Sequence, residues 1–385
     1  MRIAIVVRSL KIGGMERVAV NLSDAFSKNG HETHLIYFKE KGRVFTPNSD
    51  VRLHHYNLNK TLRLTVIGIF LNYFAKLFNT IFRKTYFFWQ GLLLAPIFKY
   101  KLNQTEKKYG KFDLIIMRGH GTFESTWPLR DKRIVQVIES IFISHGSILK
   151  NFYIKCLYAQ KQLVCVSNGV KEELDRILLL TNIKPKQVDV ITNPLNILQI
   201  REQATEYMPN ITAPYIVTVS RIDANKNLNL LIDTYAYARQ HLGLTHTLVI
   251  IGDGAQRSKL QAQVNNLHIK EHVHFLGLLS NPFPWVKNAD LFVFSSLSEG
   301  LGYVLLEALA CHTTVISTNG KGGIKDVMKG ELTSYLVNFD KIAFANRISL
   351  ELKEPKKVNY DKALIDFTPE SIVNEYIRLY LSQES

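Results

Sequence analysis

A chain of 385 residues is longer than one hydrophobic core fills, which predicts two domains. Lysine and arginine number 48 against 33 acids, a formal charge of +15, so the expected partners are anionic: nucleic acid, an acidic lipid surface or a phosphorylated substrate. Three cysteines, Cys156, Cys165 and Cys311, form no CxxC pair; they exclude a disulfide framework and a cysteine zinc site and read as buried thiols of a reducing compartment. Residues 1–7 are too short an apolar run for a signal peptide and read as a first strand, which places the chain in the cytosol.

In chain order, an apolar strand over 2–7 leads to Gly13, Gly14, Met15 and Glu16. Val18, Leu22 and Phe26 then share one face of an amphipathic helix that Gly30 ends. Further strands are expected over 33–38, 114–117, 134–138, 163–166 and 188–191, with helical segments between several of them. Strands alternating with helices predict a doubly wound parallel sheet. After a polar stretch over 199–213 a second such series begins. Its strands are expected over 215–220, 247–251, 272–276, 291–295 and 314–317, and its helices over 228–241, 258–267, 284–288 and 303–311. The boundary falls between Asn193-Pro194 and Pro214, which gives domains over 1–195 and 196–367. The tail opens with Thr368 as N-cap and Pro369 at the first helical position.

Residues 51–105 contain no Asp or Glu but hold Arg52, Lys60, Arg63, Lys76, Arg83, Lys84, Lys99 and Lys101. Between Leu64 and Phe82 the residues Ile67, Phe70, Leu71, Phe74, Leu77, Phe78 and Ile81 recur at helical spacing, and Asn72, Lys76, Asn79 and Arg83 fall mostly on the other side. A helical hairpin over 61–101 lying in the plane of an anionic membrane accounts for both patterns. Each cation near such a surface contributes about 1 kcal/mol, so eight suffice for peripheral binding. Lys76 and Pro96 argue against a spanning helix. The interleaved residues are bulky aliphatics as often as stacking aromatics, which favours lipid over nucleic acid.

The segment 295–319 carries the chemistry. Ser298-Glu299-Gly300-Leu301-Gly302 runs from a strand into an apolar helix, the layout that turns backbone N–H groups and a helix N-terminus toward a phosphate. Two carboxylates, Glu299 and Glu307, sit in the loop and the first helical turns. They are poor phosphate ligands but good acceptors for sugar hydroxyls, so the pair suggests a sugar nucleotide. Arg221 ends the 215–220 strand and Lys226 starts the next helix, at the carboxyl edge of the sheet where such folds bind ligands. Two fixed cations there stabilise a diphosphate leaving group as it gains charge. Gly252-Asp253-Gly254 lacks the third glycine of a dinucleotide fingerprint and reads as a tight turn near the ligand.

SRIDANKN at 220–227, VIIGDG at 249–254, HFLG at 274–277 and EGLGYVLLE at 299–307 resemble the nucleotide-binding half of retaining glycosyltransferases of glycosyltransferase family 4. Gly13-Gly14-Met15-Glu16 resembles the GGxE loop of that family's first domain, and Asn193-Pro194 its interdomain Asn-Pro. The resemblance covers nearly the whole chain, weakly across 40–110. It implies the α/β GT-B fold: two Rossmann-like domains facing a central cleft, with the C-terminal helix, 368–385, crossing back to the first. Glu299 would then hold donor-sugar hydroxyls, Glu307 the ribose, and Arg221 and Lys226 the diphosphate. Backbone at Gly300, Leu301 and Gly302 would meet donor and phosphate, the loop after Leu276 the base, and Gly13-Gly14 the diphosphate from the other domain. No metal or other cofactor is expected. One position departs from the pattern: where many members carry a histidine after the strand at 134–138, this chain has Glu139, with His120 and His145 nearby in sequence. Glu139 either acts on the acceptor hydroxyl or the anomeric carbon, or only caps the next loop.

The expectation is a retaining, metal-independent glycosyltransferase moving a sugar from a nucleotide sugar, a UDP-sugar, to a lipid-linked or lipid-anchored glycan in cell-surface polysaccharide synthesis. It would be cytoplasmic, peripheral on the inner face of the cytoplasmic membrane, and bind no nucleic acid. The alternatives are a non-catalytic membrane-associated binding protein of the same fold and a sugar-nucleotide epimerase. A nicotinamide dehydrogenase fails for want of the full glycine fingerprint.

Overall fold

The structure, a computed structural model, describes residues 1–11, 13–40, 42, 44–63, 66–81, 86–119, 121–140 and 148–384. Leu64, Phe82, Arg83, Lys84, His120 and His145 lie outside the described residues. The chain forms two compact units, Met1–Pro194 with Pro369–Ser385, and Leu195–Thr368.

The first unit is built on seven strands: β1 Arg2–Ser9, β2 Glu32–Lys39, β3 Arg52–His55, β4 Leu114–Arg118, β5 Ile134–Ile138, β6 Gln162–Cys165 and β7 Gln187–Val190. They pair in parallel in the order β3-β2-β1-β4-β5-β6-β7. Ile3 to Val7 and Leu114 to Met117 are buried on both sides of the pleat, which is why these strands read as continuous apolar runs. The Gly14–Lys28 helix covers one face with Val18, Leu22 and Phe26, and Phe26 meets Tyr376 of the Pro369–Glu384 helix at 6.0 Å between ring centroids. The β3 strand is absent from the periodicity because an edge strand of sequence RLHH is half-buried and carries no apolar alternation.

Helices Val66–Ile81 and Tyr86–Tyr109 occupy the acid-free stretch. Among the described side chains of the first helix, Gly68 and Ala75 turn inward while Ile69, Phe70, Tyr73, Phe74, Leu77 and Phe78 are exposed. These six exposed apolar side chains are therefore not packed on the sheet. Among the described residues no helix is long and apolar enough to cross a membrane.

The second unit holds β8 Tyr215–Val219, β9 Thr247–Ile251, β10 Val273–Gly277, β11 Leu291–Phe294, β12 Ser298–Glu299, β13 Val315–Thr318, β14 Lys321–Gly322 and β15 Leu336–Val337. Six of these form a parallel sheet in the order β10-β9-β8-β11-β13-β15, and β12 pairs with β14. Both main sheets change winding direction once, between β1 and β4 and between β8 and β11, and ligands of such folds sit outside the strand ends at that point.

Candidate functional site

In the second unit the loops after β8 and β11 meet at the switch point. Asp223 lies in the first loop, four residues beyond β8. Its Oδ1 accepts from the amides of Asn225 at 3.0 Å and Lys226 at 3.3 Å and so caps the short Ala224–Lys226 turn. The turn is then stitched to the second loop. Asn225 Nδ2 donates to Ser298 O at 2.7 Å, Ser295 Oγ to Lys226 O at 2.8 Å, and Leu297 N to Asn225 O at 2.8 Å. Held from both sides, Lys226 points its ammonium at Glu299 Oε1 and lies 5.7 Å from the centroid of the Phe294 ring. The two side chains are only 12% and 15% exposed, so the pair is largely shielded from screening by solvent.

Glu299 is fixed along its backbone as well. It pairs with Gly322 across β12 and β14, and its carbonyl accepts from Gly323 N at 3.0 Å. Gly322 has φ +80°, and a Cβ there would lie 1.9 Å from Glu299 O. Only glycine allows that approach. Gly302, at φ +82°, is the left-handed residue from which the Tyr303–Ala310 helix starts; Leu301 before it is buried and Gly300 is half-buried. Glu307 is half-buried within that helix, and with burial it helps push the Cys311 thiol up to about 12.

Arg221 differs from Lys226. Its side chain is 78% exposed, and its guanidinium pairs with Asp223 at 3.1 Å. Gly252 follows β9 with φ +134°, and a Cβ on it would come within 1.9 Å of Ser220 O, so the β9 turn closes directly on the residue before Arg221. Leu276 is the extra residue of a bulge in β10, where the pairing with β9 shifts between Phe275 and Gly277. Lys226 and Glu299 are thus in contact, Arg221 and Gly252 belong to adjoining loops, and Glu307 and Leu276 stand on separate elements of the same unit.

In the first unit Gly13 precedes the Gly14–Lys28 helix in extended backbone, φ 177°, and a Cβ on it would meet Glu16 Oε2 at 2.3 Å. The space beside Gly14 is open. Glu139, at the end of β5, uses both carboxylate oxygens: Oε1 accepts from Arg118 Nη2, and Oε2 from Asn193 Nδ2 at 3.2 Å. Arg118 Nη2 also donates to Asn193 Oδ1 at 2.6 Å. Arg118 is 1% exposed, and Tyr376 is buried beside it; burial raises the Tyr376 phenol while the Arg118 charge lowers it. The carboxylate is therefore one corner of a buried Arg118–Glu139–Asn193 network.

Family models match both halves of the chain. "Glycosyltransferase Family 4" matches residues 12–197 and "Glycosyl transferases group 1" matches residues 200–365. The chain belongs to the family 4 glycosyltransferases. This glycosyltransferase is 26% identical over 343 residues, 88% of its length and 86% of the relative's, to the N-acetylgalactosamine-N,N'-diacetylbacillosaminyl-diphospho-undecaprenol 4-alpha-N-acetylgalactosaminyltransferase of Campylobacter jejuni. Two solved structures share its GT-B fold. The sucrose-phosphate synthase of Thermosynechococcus elongatus superposes with a TM-score of 0.72 at 19% identity, covering 99% of this chain and 98% of the other. Anabaena HepE in complex with UDP and glucose gives 0.68 at 17%, covering 99% of each chain.

Sequence reasoning singled out Lys226 and Glu299 without their contact. It assigned no role to Asp223, Asn225, Ser295 or Arg118. The Asp-x-Asn spacing ahead of a helix was a readable signal for the cap. Nothing local marks Arg118, whose two partners lie 21 and 75 residues away.

Proposed function

We propose that this glycosyltransferase moves a sugar from a UDP-sugar to a lipid-linked glycan, with retention at the anomeric carbon and without a metal ion, at the inner face of the cytoplasmic membrane. The observation that carries the donor half is the shielded Lys226–Glu299 pair at the switch point of the second unit. A cation that is already oriented loses little freedom when a diphosphate arrives, and its charge grows in effect as the glycosidic bond breaks. Lys226 and Arg221 take the diphosphate, Glu299 accepts from hydroxyls of the transferred sugar, and Glu307 accepts from the ribose. Backbone at Gly300–Gly302 faces the phosphate, Gly252 holds the β9 turn against Ser220 beside the Arg221 loop, and the Leu276 bulge borders the base. The positive charge these residues supply is the role a metal ion plays in other diphosphate sites.

The acceptor half is supported by the Campylobacter relative, whose name describes a sugar carried on diphospho-undecaprenol and an α linkage. UDP with glucose is the ligand pair in the HepE structure. Membrane attachment is supported by the outward aromatic face of the Val66–Ile81 helix, where Phe70 is 64% and Tyr73 65% exposed, within the acid-free stretch.

The test is a panel of sugar nucleotides screened for protection against thermal unfolding. A donor at a hundred times its dissociation constant adds about 2.7 kcal/mol. A UDP-sugar is expected to protect, and Lys226→Ala and Glu299→Gln to abolish most of the shift. Protection by no UDP-sugar refutes the donor assignment. Protection without donor hydrolysis or transfer leaves a binding protein in place of an enzyme.

A further inference from the structure

The first unit holds a second cationic site, at its own switch-point edge. A pocket of about 540 Å³ opens at the carboxyl ends of β1 and β2, beside the start of the Gly14–Lys28 helix. Arg8, Lys11 and Lys39 line it, against one carboxylate, Glu16, which accepts from Ser9 Oγ at 3.1 Å. The strand register brings the cations together, since Ser9 of β1 is aligned with Lys39 of β2. The chain beyond β2 then folds back, with Val44 and Phe45 both donating to Leu10 O, and a Cβ on Gly42 would lie 3.4 Å from Lys11 Cε. On the other side the stem of Arg8 fills the space that a side chain at Gly121, φ +86°, would need. Partial burial and the charges of Arg8 and Lys11 hold the Lys39 ammonium below its ordinary value. Three like charges in one pocket repel one another, and an anion relieves that cost.

We infer that the Arg8–Lys11–Lys39 pocket binds a phosphoryl group of the glycosyl acceptor, a prenyl phosphate or diphosphate. The inference rests on the proposed transfer to a lipid-linked acceptor. The donor diphosphate has its own cations, Arg221 and Lys226, in the second unit. The first unit holds both a cationic pocket and the exposed apolar Val66–Ile81 helix, the two features an amphiphile with a phosphorylated head requires.

The experiment uses the full chain, saturated with UDP so that the donor site is closed to competing diphosphate. Farnesyl diphosphate, farnesol and inorganic pyrophosphate are titrated against it by calorimetry. Farnesyl diphosphate is expected to bind and farnesol to bind at least tenfold more weakly, with pyrophosphate competing. Lys11→Ala/Lys39→Ala is expected to weaken farnesyl diphosphate at least tenfold, Lys39→Arg to restore it within a few-fold, and Lys28→Ala, on the far end of the helix, to leave it unchanged. UDP affinity stays at the wild-type value in every variant. Equal binding of farnesol, or unchanged farnesyl diphosphate affinity in the double variant, overturns the inference. Loss of UDP affinity in the double variant also overturns it, because the pocket then serves the donor. Failure of wild-type protein to bind UDP, with farnesyl diphosphate still bound through Lys11 and Lys39, refutes the donor reading and leaves this pocket standing.

Discussion

Replacement of Glu139 separates a residue that acts on the substrate from one that acts through Arg118. Arg118 is 1% exposed, and both of its mapped hydrogen bonds come from one nitrogen, to Glu139 and Asn193, while its Nε has no acceptor among the described residues. Glu139 is its only ion-pair partner among the described residues. Glu139→Gln keeps an acceptor of the same shape but removes the charge, which corresponds to loss of one charge-assisted contact, about 1.5–3 kcal/mol. Glu139→Leu leaves a buried guanidinium uncompensated and costs about 3–5 kcal/mol. For a unit of this size each kcal/mol lowers the midpoint by about 2–4 °C, so the Gln variant drops by about 3–12 °C and the Leu variant further. Arg118→Met is the partner change. If the network carries the effect, the Arg118→Met/Glu139→Leu double variant is more stable than the two single losses added together. Turnover falls in Glu139→Gln while UDP affinity, which the proposed donor site assigns to the other unit, holds. Differential scanning calorimetry with the four-member cycle, and turnover beside it, reads all of this. A Glu139→Gln variant with an unmoved midpoint, no coupling to Arg118 and turnover lost a hundredfold or more refutes the positioning argument, and places the carboxylate at the reacting carbon or the acceptor hydroxyl.

Three further outcomes are expected. Gly322→Ala puts a Cβ 1.9 Å from Glu299 O in left-handed backbone, a strain of about 1–3 kcal/mol, and UDP protection in a thermal shift assay falls because Glu299 is displaced from Lys226. Acid stability has two steps near the β2–β3 edge. Burial, followed by neighbouring His34 and Arg52, holds His54 down at about 4, so its neutral form stabilises the fold above pH 6.5, and that contribution is lost between 6.5 and 4. Hydrogen bonding from Arg2 holds Glu32 at about 2, so its contribution is complete above 4.5 and is lost as the pH falls toward 2; midpoint-versus-pH curves of His54→Gln are expected to keep the Glu32 step and to show a smaller first step, since burial also holds the neighbouring His34 down. Phe70→Glu/Phe74→Glu abolishes flotation with vesicles containing phosphatidylglycerol and moves the midpoint in solution little, since both rings are exposed; retained flotation refutes the membrane face.

The parts legible in the sequence share one property: their information is local. β1, β4, β5, β8, β9 and β11 are buried on both faces, so each announces itself as an apolar run, and the glycine loop before the Tyr303–Ala310 helix declares a turn and a helix start within a few residues. The site was legible as residue types at strand ends for the same reason. What the sequence withheld is pairing across distance. Lys226 and Glu299 are 73 residues apart, and β12 and β14 are two-residue strands whose only evidence is each other. β3 gives no period because it is a polar edge. The basic pocket is hidden in the same way, since Arg8 and Lys39 become neighbours only through the parallel register of β1 and β2. These long-range pairs also change what the local residues can do. Lys226 and Arg221 read in sequence as two free cations awaiting a diphosphate, yet in the fold each already faces a carboxylate, Glu299 and Asp223. A diphosphate that draws Lys226 toward itself releases Glu299 to accept from sugar hydroxyls. A UDP-sugar, which supplies both partners, therefore fits the pair better than UDP alone, and a comparison of the two affinities in wild type and Glu299→Gln measures that coupling.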